Sequence, residues 1–193
     1  MKRLLMLVAA IAGISLAGGK ALAANPAEVE VWVMITNLSV AITSSTTYSY
    51  GAVVAGSTAL QPGGSNFVIQ NNGNVAESFQ LSVLSASNAL LTGGGLWALV
   101  AGAPVGEQVR LCALFTAGPT VAGDFNPAFD ALTTAPVTAG SIDAAPFSFV
   151  DVGVAGGNAV AQGASRNLWT RIETSATTVQ FTNKFLRIQV NAI

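Results

Sequence analysis

The chain has 193 residues, a net charge of −1, no histidine and one cysteine, and 9% of its residues are charged against 51% hydrophobic. Acid–base and nucleophilic catalysis need titratable or nucleophilic groups placed side by side, so this inventory points to a structural or adhesive protein rather than an enzyme. With no basic patch, nucleic acid and anionic membrane are poor partners.

Residues 1–23 read as a cleaved signal peptide. Lys2 and Arg3 form a positive start, residues 4–17 are apolar, and Ala21-Leu22-Ala23 supplies small residues for cleavage after Ala23. The apolar run is shorter than the ~20 residues that span a bilayer, and Gly18, Gly19 and Lys20 interrupt it. Export to the cell surface or the medium is therefore expected, with residues 24–193 as one domain and no later membrane span. This mature part carries five cations and nine anions, a net of −4. Its charge density is about a third of that of an ordinary soluble domain, as expected if neighbouring copies cover much of the surface.

Outside the signal peptide the dominant period is two, the signature of strands. The first strand segment covers residues 28–43. Val29, Val31, Val33 and Ile35 alternate with Glu30, Trp32, Met34 and Thr36, and then the phase shifts so that Leu38, Val40 and Ile42 carry the apolar side. A one-residue shift turns side chains to the opposite face, so a bulge or a change of sheet is expected near Thr36 and Asn37. Residues 48–54 are predicted as the next strand, and residues 56–65 as a Gly/Ser/Pro turn. Asn71-Asn72-Gly73-Asn74 tolerates the positive φ of tight turns. Residues 66–70 and the alternating run Phe79, Leu81, Val83 are accordingly predicted as a hairpin.

Further strands are expected after Gly93-Gly94-Gly95, at residues 96–100, and at residues 108–116, 146–152, 167–174 and 184–192. The last two are read as a closing pair, with Leu186, Ile188 and Val190 on one face and Arg187 and Gln189 on the other. Residues 117–145 lack periodicity and read as a long loop insertion with a helical turn near residues 127–132. Eight to ten short strands with frequent turn signals predict an all-β fold, an immunoglobulin-like or jelly-roll β-sandwich.

Candidate sites are few. Cys112 lies in the apolar run Val109-Arg110-Leu111-Cys112-Ala113-Leu114-Phe115 and is expected to be a buried small hydrophobe. Asp124, Asn126 and Asp130 offer oxygens at loop spacing for calcium, but Phe129 and Ala135 stand where an EF-hand loop needs Gly and Glu. An ordinary polar loop is expected there. Trp32, Trp97 and Trp169 suit either sugar stacking or packing, and their apolar strand settings favour packing. Asn37-Leu38-Ser39 fits a glycosylation sequon inside a strand-like run. Gly93–Gly95 lacks the lysine of a phosphate loop, and no zinc spacing, paired carboxylates or Ser-His-Asp set can be assembled. No catalytic, metal or cofactor-binding residue is assigned, and no cofactor is expected.

Two segments carry a resemblance. Tyr50-Gly51 followed by Val68-Ile69-Gln70-Asn71-Asn72-Gly73-Asn74-Val75-Ala76-Glu77-Ser78-Phe79-Gln80-Leu81 resembles the strand, turn and strand of many exported immunoglobulin-like domains. Leu168-Trp169-Thr170-Arg171-Ile172 with Phe185-Leu186-Arg187-Ile188-Gln189-Val190 is similar to closing strands of bacterial and archaeal surface proteins. More loosely, the chain resembles fibre-forming sandwich subunits of the TasA and camelysin kind, and archaeal bundling pili. That resemblance implies a subunit of a surface filament or pilus, a homopolymer whose N-terminal strand completes the next copy by donor-strand complementation. The assembly strand would comprise Val29, Val31, Trp32, Val33, Ile35, Leu38, Val40 and Ile42. The same alternation also serves an ordinary first strand kept in its own sheet. A monomeric module binding a glycan or protein is the alternative function.

Overall fold

A computed structural model describes residues 34–84, 98–140, 148–150, 156–177 and 186–193. The chain divides into two compact units, Met1–Ile35 and Thr36–Ile193. Only Met34 and Ile35 of the first are described, so the signal peptide and residues 28–33 lie outside the described residues. The boundary coincides with the shift of hydrophobic phase near Thr36 and Asn37.

The second unit is an all-β sandwich. Its described strands are β1 (Val40–Ile42), β2 (Thr58–Leu60), β3 (Phe67–Asn71), β4 (Phe79–Val83), β5 (Ala98–Leu99), β6 (Gln108–Phe115), β7 (Val137–Thr138), β8 (Ser165–Thr174) and β9 (Ile188–Ala192). One sheet runs β1-β3-β8-β6-β5, with β2 also on β8, and the other runs β7-β4-β9. β8 is long enough for β3 to pair with its first residues and β2 with Arg171 to Glu173, while β6 takes its opposite edge.

Ile69, Leu111, Ala113, Phe115 and Leu168 of the larger sheet meet Phe79, Leu81 and Val83 of the smaller one in the main core. β4 follows the predicted alternation, and Leu186, Ile188 and Val190 are half-buried against that core as the last run predicted. β6 reads as a continuous apolar run because it is covered on both faces. Its other face carries Cys112 and Leu114, which join Trp169 and Phe125 in a second cluster.

Residues 122–131 build the cover of that second face. They contain a 3-10 turn at Ala122–Asp124 and a helix, α1, at Pro127–Asp130, where a helical turn was predicted. Pro127 suits the first helical position because the missing N–H would have no helical partner there, and the Asn126 side chain accepts from the Ala128 N–H. Phe125 and Leu132 are buried, and β7 pairs with β4. The described part of the predicted loop insertion, residues 117–140, is thus packed against the second cluster through Phe125 and against β4 through β7.

Three local expectations are corrected. β3 and β4 do not form a hairpin. Both edges of β3 are occupied, by β1 and by β8, so β4 enters the other sheet. β8 and β9 do not close the chain as a pair, for the same reason: β6 holds one edge of β8, β2 and β3 hold the other, and β9 joins β4. Residues 48–54 are not a strand. Gly51 and Gly56 have φ of 66° and 73°, which break an extended run, and the strand begins later at Thr58. The strand expected at residues 146–152 is represented by single bridges, Ala139 with Ser148 and Phe115 with Val150, on either side of Phe149, whose φ of 62° is not that of a strand; residues 146, 147, 151 and 152 lie outside those described.

Candidate assembly site

The first residues of the second unit form a strap on the outer edge of β3. Asn37 N–H donates to Asn74 Oδ1 at 2.7 Å, and Asn74 N–H returns to Asn37 O at 3.1 Å. Asn72 N–H donates to Ser39 O at 2.8 Å, and Thr43 N–H to Val68 O at 2.9 Å. Ser44 Oγ then accepts from Val68 N–H at 2.8 Å. The ladder alternates, so Ser39, Ala41 and Thr43 turn their peptide groups toward β3 while Val40 and Ile42 turn theirs outward.

The strap is latched by the arch that replaces the expected hairpin. Asn71 is fully buried. Its Nδ2 donates to Val75 O at 2.7 Å and Val160 O at 2.8 Å, and its Oδ1 accepts from Gly73 N–H at 2.8 Å. Those bonds bend the chain from one sheet toward the other. Glu77, also buried, exchanges backbone bonds with Val160 and accepts from Ser39 N–H through Oε1 at 2.7 Å. Its Oε2 is buried without a hydrogen-bond partner.

Gly73 is required by this latch, since an added Cβ would collide with Glu77 Oε1 and the Asn37 carbonyl oxygen. Overpacking of this kind costs about 1–3 kcal/mol. Gly73→Ala is therefore expected to lower the thermal midpoint and to raise amide exchange at Asn37 and Ser39 before the core strands exchange. Unchanged exchange at both amides would refute the latch.

The predicted assembly residues are distributed across the unit boundary. Val29, Val31, Trp32 and Val33 lie outside the described residues. Ile35 is 80% exposed, Leu38 49% and Ile42 41%, whereas Val40 packs against the main core. Residues 37–44 are thus seated on the sheet of their own chain. Sequence reasoning missed the roles of Asn71 and Glu77. Glu77 stands out as the one acid beside the turn, whereas Asn71 is one of four amides in residues 70–74 and carries no signal of its own.

The remaining described candidates make their contacts within the fold. Trp169 is buried, with its indole N–H unpartnered, and its ring offers no face to a sugar. Trp97 and Gly93–Gly95 lie outside the described residues. Asp124 Oδ2 accepts from Val121 N–H at 2.7 Å, and Asn126 Oδ1 from Ala128 N–H at 3.1 Å. Asp130 accepts from Asn126 N–H at 2.6 Å and Phe149 N–H at 3.0 Å. Their oxygens thus serve backbone amides, as an ordinary polar loop requires. Among the described residues no three acidic or cysteine side chains are grouped to hold a metal, and no helix is long and apolar enough to cross a membrane.

Cys112 is buried, and burial pushes its thiol up to about 11, so it stays protonated and unreactive at neutral pH. Beside it runs a charged row. Arg171 and Arg110 both reach the Glu173 carboxylate, and Arg171 also lies 5.2 Å from the centre of the Phe125 ring.

No protein-family model matches the chain, and no curated protein or solved structure is significantly similar to it.

Proposed function

We propose that this protein is an exported structural subunit, without catalytic activity, that assembles into a cell-surface or extracellular filament by strand addition between copies. The observation that carries this reading is the division of the N-terminal segment. Residues 37–44 are anchored on β3 and latched by Glu77, while the chain splits into separate units at Ile35. The alternating apolar run that ends at Ile35 then becomes the donated strand, refining the broader segment 28–43. An added strand is held by backbone hydrogen bonds and by pockets for alternate side chains. A head-to-tail contact that does not close on itself propagates as a filament. The sparse charge supports the reading, because such a surface is suited to coverage by neighbours.

Electron microscopy of the mature chain, residues 24–193, tests this directly. Regular filaments are expected, and deletion of residues 28–35 should abolish them while leaving a folded monomer, since every described strand lies in Thr36–Ile193. Uniform single particles across salt and pH would overturn the filament reading in favour of a monomeric glycan- or protein-binding module.

A further inference from the structure

Resting on that reading, we infer that the strand from the neighbouring copy pairs with the outer edge of β9. β9 is the longest edge strand whose second side has no strand partner among the described residues; β1 and β2 have three residues each, and β5 and β7 have two each. Its hydrogen-bonding phase is set by the bonds Ser78 exchanges with Ile193 and by Leu84 N–H donating to Arg187 O, each at 3.0 Å. Antiparallel pairs alternate, so Arg187, Gln189, Asn191 and Ile193 turn their peptide groups toward β4. Ile188, Val190 and Ala192 therefore present theirs to the side away from β4, where no described strand pairs with them.

The side chains match the incoming segment. Ile188 and Val190 lie half-buried against the main core, and so does Val40 of β1, the facing edge of the other sheet. β1 and β9 approach within 8 Å at their Cα atoms but share no ladder, which leaves an apolar seam on this side of the sandwich. A strand whose Val29, Val31, Val33 and Ile35 face inward covers that seam. Glu28 and Glu30 then fall on the outer face, where Arg187 is exposed and has no ion-pair partner among the described residues. Five residues of β9 extend about 17 Å and residues 28–35 about 27 Å, so the donor spans the whole edge.

Fluorescence titration of the mature protein, kept dilute enough to stay monomeric so that no neighbour fills β9, with a labelled peptide of residues 27–36 tests the assignment. Saturable capture is expected. Val190→Pro removes one outward N–H and places the ring at the open edge without touching the β4 ladder, so capture should weaken about tenfold. Arg187→Glu leaves the backbone intact, which covers the case in which the proline variant does not fold. It should weaken capture about threefold, with recovery by the peptide carrying Glu28→Lys and Glu30→Lys. No capture by the wild-type protein, or equal capture by a folded Val190→Pro and by Arg187→Glu, would overturn the inference. Filaments that persist in those two variants would overturn the β9 assignment and leave the filament reading standing. Absent filaments alongside β9-dependent capture would overturn the filament reading alone.

Discussion

Replacing Arg171 by alanine is expected to destabilise the protein by about 3–5 kcal/mol, the range for breaking a buried ion pair by removing one partner. Arg171 is 5% exposed and sits on the β8 face turned toward the second cluster. Its Nη1 donates to Ala122 O at 2.8 Å, its Nη2 reaches Glu173 Oε1, and its guanidinium stacks near Phe125. One side chain thus ties the 3-10 turn, the Phe125 ring and β8 together. Without it the Ala122 carbonyl loses its partner, Glu173 keeps only Arg110, and the cover over Cys112 and Trp169 loosens. A loss of this size is a large share of the roughly 5–15 kcal/mol that holds a domain folded. The denaturant midpoint should fall at nearly unchanged slope, and Cys112 should react faster with a thiol reagent under native conditions. Arg171→Met keeps much of the stem packing and should cost less. An alanine variant within 1 kcal/mol of wild type with an inert Cys112 would show that the insertion is held by Phe125 and Leu132 alone.

Asp130→Ala should have a comparable effect by a different route. Asp130 is fully buried, and its two oxygens serve the N–H groups of Asn126, ahead of α1, and of Phe149. Phe149 is itself buried and has a φ of 62°, a conformation that a bulky side chain adopts only when its surroundings hold it. Each hydrogen bond to a charged group contributes about 1.5–3 kcal/mol, so losing both should cost about 3–6 kcal/mol. Urea unfolding measures the loss. Adding Phe149→Gly to Asp130→Ala should not recover it, because the glycine relieves the backbone but empties a core position. If Asp130→Ala proves neutral, the Phe149 conformation is supported by its neighbours alone, among them Phe115, whose N–H donates to Phe149 O.

The alternating runs were legible because period-two burial is a local property. Phe79, Leu81 and Val83 all point inward in β4, and Ile188 and Val190 do so in β9. The unbroken apolar run of β6 also announced itself, though not the reason for it, which is the cover laid over its second face by residues 122–131. The phase change near Thr36 was read as a bulge or a change of sheet, and the division into two units falls at the same place. What local pattern could not carry was pairing. The Asn-Gly-Asn turn has the chemistry of a hairpin, yet its neighbouring Asn71 bonds to Val75 and Val160 and bends the chain across the sandwich. The assembly seat was legible only in part: the strap residues stood out as a strand, whereas Asn71 and Glu77 act through partners distant in sequence.

The sequence by itself determined the all-β class, the strand faces, the buried thiol and the absence of any histidine-based chemistry, since composition and short-range period suffice for these. Tertiary structure alone decided which strands pair, that residues 122–131 cover a second core, and that Glu77 latches the N-terminal strap. The physical reason is edge occupancy. A strand has two hydrogen-bonding edges, and once β1 and β8 fill those of β3, or β2, β3 and β6 those of β8, the next strand in the chain must pair elsewhere.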